Sequence, residues 1–227
     1  LEEKPQLIYA FPRSRSTAIL QASNKLIHVN EPCNKFNLVK NFNLKGIDPF
    51  VDKIVVTDEM WETIKNNINN KDVACKFLPW HFNSPYPKAI DWFKEVQNNQ
   101  TFDVYVVYRN IEEICWSFCV ARKFGWYEKS EVKELFYVTV EEQIFLAIER
   151  QLEIFLNNFP KYGQVISWEN LPQNHFDKSK VKNKEQFSKE KIKYINNIDF
   201  CREKINNIME KYNVILEEKF STLKWAK

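Results

Sequence analysis

Short apolar runs alternate along this chain with longer stretches in which apolar residues recur every three or four positions. The runs at 6–10, 73–78 and 104–108 are nearly continuous, the pattern of strands buried on both faces of a parallel sheet. Shorter runs at 27–29 and 164–167 fit two further strands, and residues 54–56 fit strand or loop equally. Helical spacing predicts helices over 16–26, 58–69, 87–96, 111–124 and 140–159. Asp58 opens the second of these as a cap, and Pro160 stops the last. Two more helices are expected near 188–196 and 200–212. Strand–helix alternation of this kind predicts an α/β fold, a three-layer sandwich with a central parallel sheet. With no internal repeat and no long linker, residues 1–227 read as a single domain.

Composition narrows the function classes. A chain of 227 residues that is 44% hydrophobic and 15% aromatic can bury a substantial core. A net charge of +3 is too mild to point to nucleic acid, although a slight excess of Lys and Arg suits an anionic ligand. No run approaches the roughly 18 apolar residues of a membrane span. No signal peptide is visible, and five scattered cysteines read as free buried thiols in a reducing compartment, so a cytoplasmic location is expected. The histidines (His28, His81, His175) lie far apart, and no metal motif is expected.

Chemistry enters where the first strand ends. Pro12-Arg13-Ser14-Arg15-Ser16-Thr17 places a tight polar loop between that strand and a helix. Backbone N–H groups of a first helical turn favour anions, and arginine forks and hydroxyls add donors for phosphate or sulfate oxygens. Read alone, the loop also fits an ordinary turn with Ser14 or Ser16 as N-cap. It is not the G-x-x-x-x-G-K-[ST] loop of nucleoside triphosphatases, since the chain holds only three glycines, Gly46, Gly125 and Gly163.

A second motif follows the run at 104–108. Arg109 stands just past its C-terminal end, where open α/β sheets bind ligands. Asn110 caps the next helix, Glu112 and Glu113 occupy its first turn, and Ser117 lies about two turns in.

The pair resembles the signature of sulfotransferases that use 3′-phosphoadenosine-5′-phosphosulfate (PAPS). In that family a P-[KR]-S-x-[ST]-T loop precedes an Arg-Asn/Asp-x6-Ser segment. Pro12 to Thr17, and Arg109 with Ser117, follow this order and spacing. Val165-Ile166-Ser167-Trp168-Glu169-Asn170-Leu171 is similar to the family's strand ending in Tyr-Glu-Asp-Leu, whose aromatic lies near the adenine. The resemblance spans residues 6–171 and implies a P-loop NTPase-like sulfotransferase fold. It also implies a sulfuryl group moved from PAPS to a hydroxyl or amine of a small-molecule or glycan acceptor, leaving adenosine 3′,5′-bisphosphate. It assigns the 5′-phosphosulfate to Arg13, Ser14, Arg15, Ser16 and Thr17, with Arg13 catalytic at the bridging or leaving oxygen, the 3′-phosphate to Arg109 and Ser117, and the adenine side to Trp168. Glycine is commoner in the family where Arg15 stands. Either the loop takes an ordinary backbone conformation here, or Arg15 contributes its own charge.

Two groups are candidates for the base that takes the acceptor's proton. Glu31 lies 18 residues after Arg13, about where arginine-loop members of the family place a catalytic glutamate. His81 ends Lys76-Phe77-Leu78-Pro79-Trp80-His81, which is loosely similar to the Lys-Thr-His-Leu-Pro of cytosolic sulfotransferases, with the histidine out of register. Glu31 is preferred; its plain alternative is a surface carboxylate beside Lys35. Seven lysines between His175 and Tyr194 read as a solvated face or as a lid over the 3′-phosphate. Trp80, Phe82, Tyr86, Trp116, Phe124, Trp126 and Tyr127 read as core or as an acceptor wall. Two other functions stand beside the transferase: an inactive nucleotide-binding module of the same fold, and a P-loop-type phosphotransferase. The latter calls for a lysine-bearing glycine loop that is not here.

Overall fold

The computed structural model describes residues 3–48, 54–82, 87–124, 137–181 and 189–226. Among them, strands β1 (Gln6–Ala10), β2 (Ile27–Asn30), β3 (Val73–Phe77), β4 (Asp103–Val107), β5 (Gln164–Ile166) and β6 (Lys224–Trp225) form one sheet. Its order is β2-β3-β1-β4-β5-β6, and every pairing is parallel. Seven α-helices accompany it: α1 (Ser16–Ala22), α2 (Lys35–Asn41), α3 (Asp58–Ile68), α4 (Pro87–Asn99), α5 (Ile111–Phe124), α6 (Glu142–Asn157) and α7 (Ile198–Ser221).

The period-2 geometry of β1 divides the core into two layers. Leu7 and Tyr9 face a large apolar cluster built with α3 to α7, whereas Ile8 and Ala10 face a smaller one built with α1, Phe176 and Val181. All five β1 residues are buried, as both-face coverage requires. The result is a three-layer α/β sandwich. Two buried polar groups in β1 are satisfied locally: Ser23 donates to Gln6 Oε1 at 2.7 Å, and the Tyr9 hydroxyl donates to the Phe155 carbonyl at 3.1 Å.

Several boundaries differ from expectation. Helix α1 stops at Ala22 rather than 26, because Ser23 turns extended (ψ 142°) and its hydroxyl takes the Lys25 N–H. Helix α2 is unforeseen; Asn34 caps it by accepting from the Phe36 N–H. Residues 54–57 carry no regular structure. The expected helix over 188–196 is a 3₁₀ turn, Lys189–Tyr194, and Ser188 lies outside the described residues. The helix expected over 200–212 is the much longer α7, which returns the chain to lay β6 beside β5. None of the described helices is long and apolar enough to cross a membrane.

Candidate functional site

The sheet order decides where a ligand can sit. Strands β1 and β4 are neighbours, but β1 leads through α1 on one face toward β2, and β4 leads through α5 on the other face toward β5. Their C-terminal ends part at this point and leave a crevice, the usual ligand position in open α/β sheets. The loop after β1 carries Arg13 to Thr17, and the loop after β4 carries Arg109.

Side chains tie these loops together. Arg13 Nε donates to Ser117 Oγ at 3.1 Å, across 104 residues of sequence. Arg109 Nη1 donates to the Arg13 carbonyl, and Arg109 Nε pairs with Glu113 at 3.0 Å. Arg15 reaches Glu169 at 3.3 Å, next to Trp168. Three segments far apart in the chain thus meet at one crevice. Ser14 is buried and, among the described residues, its Oγ lacks a hydrogen-bond partner. Ser16 is buried beside it in the first turn of α1.

The loop backbone resolves the question posed by Arg15. Arg13 (φ 67°) and Arg15 (φ 63°) both lie in the left-handed region that glycine adopts freely. The loop is therefore not an ordinary turn: two arginines hold left-handed conformations at a cost of about 1–2 kcal/mol per residue.

A buried polar chain runs from this loop to the candidate base. Lys76, only 2% exposed, projects from β3. Its ammonium donates to Thr17 Oγ1 at 2.8 Å and pairs with Glu31 Oε1 at 2.9 Å. Glu31 Oε2 accepts from Asn34 at 3.0 Å, and the Glu31 backbone is itself left-handed (φ 52°). Burial pushes the Glu31 carboxyl up, but Lys76, His81 and the Asn34 hydrogen bond together hold it below the usual carboxylate range. It stays ionised and aimed.

His81 is fully buried, and its Nδ1 accepts from the Leu78 N–H at 3.1 Å. Burial drops its pKa to about 4, with Lys76 lowering it and Glu31 opposing. The ring is then neutral with its proton on Nε2, an atom without a partner among the described residues. His81 Nδ1 is thus occupied by the Leu78 N–H, whereas Glu31 reaches the loop after β1 through Lys76 and Thr17.

Other expected features are placed as follows. Trp168 is half-buried with the Lys178 ammonium 5.5 Å from its ring centroid, and Lys178 also donates to the Glu169 carbonyl at 3.0 Å. Lys180 is spent on Asn24 at 2.9 Å. Phe82 and Trp116 belong to the large core, not to an acceptor wall, and Trp80 packs partly buried on the smaller one. Tyr86, Trp126 and Tyr127 lie outside the described residues. All five cysteines are free and buried. Sequence reasoning missed Lys76, Glu113 and Glu169 as parts of the site. For Lys76 the signal was a single cation inside an otherwise apolar buried strand.

Comparison of the chain with protein-family models, with curated proteins and with solved structures found no match.

Proposed function

We propose that this chain is a PAPS-dependent sulfotransferase of P-loop-like fold, acting on a hydroxyl or amine of a small-molecule or glycan acceptor. The carrying observation is the Arg13–Ser117 hydrogen bond with Arg109 on the Arg13 carbonyl. It joins two anion-binding motifs at the crevice where the sheet topology calls for a ligand. The donor set fits a doubly phosphorylated anionic nucleotide: three arginines, hydroxyls from Ser14, Ser16, Thr17 and Ser117, and a buried ammonium.

In this reading Arg13, Ser14, Ser16 and Thr17 hold the 5′-phosphosulfate, with Arg15 at its edge. Arg109 and Ser117 hold the 3′-phosphate, and Trp168 offers a face to the adenine. PAPS supplies the sulfuryl group already joined to a phosphate leaving group. The protein's share is positioning and charge neutralisation, which fixed guanidinium groups provide without reorganising. Glu31 takes the proton of the acceptor hydroxyl, and Lys76 keeps its carboxylate ionised and aimed.

Calorimetric titration with adenosine 3′,5′-bisphosphate, beside adenosine 5′-phosphate and ATP, tests this. Clear preference for the 3′,5′-bisphosphate is expected, followed by transfer from labelled PAPS in an acceptor screen. Preference for ATP, or no binding, overturns the reading. Tight bisphosphate binding without transfer to any acceptor points instead to the inactive module.

A further inference from the structure

A cavity lies between the loop after β4 and α7. Its volume is about 110 Å³. Phe11, Val107, Ile114, Phe155, Leu216 and Phe220 supply its apolar walls. Phe11, Val107 and Phe155 are buried, whereas Tyr108 and Glu217 on the lining are exposed, so the mouth opens toward Tyr108 and α7. Asn213 and Glu217, one helical turn apart on α7, also line it. Among the described residues neither side chain has a hydrogen-bond partner. Arg109 also lines it, with its Nε on Glu113 and its Nη1 on the Arg13 carbonyl.

We infer that this cavity binds a single-ring aromatic molecule bearing one hydrogen-bond donor. An enclosed apolar protein cavity of about 150 Å³ takes benzene; this one is smaller, about 110 Å³, but open at its mouth, so it admits one ring with its substituent at the rim. There Asn213 and Glu217 accept a hydrogen bond, and Arg109 lies within the lining to meet the ring face. The walls contributed by Phe155 and Phe220 favour an aromatic guest over a polar one.

The site differs from any acceptor position at Glu31. Glu31 follows β2, three strands away from β4 in the sheet order, about 14 Å at the usual strand spacing. It is nevertheless linked to the anion loop, because Phe11 runs directly into Pro12 and Arg109 holds the Arg13 carbonyl. Binding there does not depend on the nucleotide reading.

The probe is phenol, with toluene as control, titrated into the full chain and followed by saturation-transfer NMR. Saturable phenol binding, tighter than that of toluene, is expected. Leu216→Trp should fill the cavity and weaken phenol on the order of tenfold or more. Asn213→Leu with Glu217→Leu, which removes both acceptors, should abolish the preference for phenol and keep toluene binding; it decides the question if Leu216→Trp does not fold. No saturable binding, or phenol bound equally by wild type and the folded variants, overturns the inference.

Discussion

Lys76 links the loop after β1 to Glu31. A buried ammonium needs a partner, and a buried carboxylate needs one equally. Lys76 and Glu31 satisfy each other, and Thr17 Oγ1 accepts a further hydrogen bond from the Lys76 ammonium. Lys76→Met removes the cation and leaves the carboxylate stranded, which should cost about 3–5 kcal/mol in urea unfolding. Adding Glu31→Gln should return most of that loss, since a neutral amide no longer needs the cation. His81 gives a separate signal. Its folded pKa is depressed to about 4, so the unfolded state binds the extra proton first as pH falls from the ordinary imidazole range. Stability should drop by about 2 kcal/mol between pH 8 and pH 5, and His81→Asn should flatten that dependence. Glu31 is depressed as well, so its share is complete above the ordinary carboxylate pKa and is lost only in stronger acid. The two groups are therefore separable by titrating unfolding free energy against pH.

Elements explain which parts of this architecture were legible in the chain. Strands β1, β3 and β4 are buried on both faces, so their residue runs are almost uninterrupted and their ends fall within a residue or so of expectation. Helix α5 announces itself by Asn110, which accepts from the Glu112 and Glu113 N–H groups. Helix α2 and strand β6 were not legible, because seven residues with one buried side chain, Leu38, and two exposed residues leave little hydrophobic pattern. The clustering of Arg13 to Thr17 with Arg109 and Ser117 was readable from motif order. The buried Lys76 link was not, since it depends on the β2–β3 register, Asn30 beside Lys76, which no local spacing encodes. Packing between elements is tight at Gly163, just before β5. A Cβ there would stand 2.6 Å from the Val104 carbonyl oxygen, and φ is 129°. Gly163→Ala should cost at least about 2 kcal/mol and lower Tm by roughly 4–8 °C, read by differential scanning calorimetry.

At the scale of the whole molecule, the sheet order makes the crevice and the side chains complete it. Arg109 joins the halves, since it leaves β4 yet holds the carbonyl of the loop after β1. Arg109→Ala should weaken adenosine 3′,5′-bisphosphate by on the order of tenfold to a hundredfold, the range for a charge-assisted hydrogen bond. The loss for adenosine 5′-phosphate should be smaller; equal losses in calorimetry would remove Arg109 from the 3′-phosphate. Position within the chain adds one consequence. Strand β1 is earliest in sequence but central in the sheet, and its neighbours are Ala74 and Asp103 against Gln6. During synthesis Leu7 to Phe11 must therefore wait, apolar and unpaired, until β3 and β4 have been made. Arg13 waits longer still for Ser117. A nascent chain stalled before that serine would display an aggregation-prone segment without the Arg13–Ser117 link, so the crevice between β1 and β4 is a late product of chain growth.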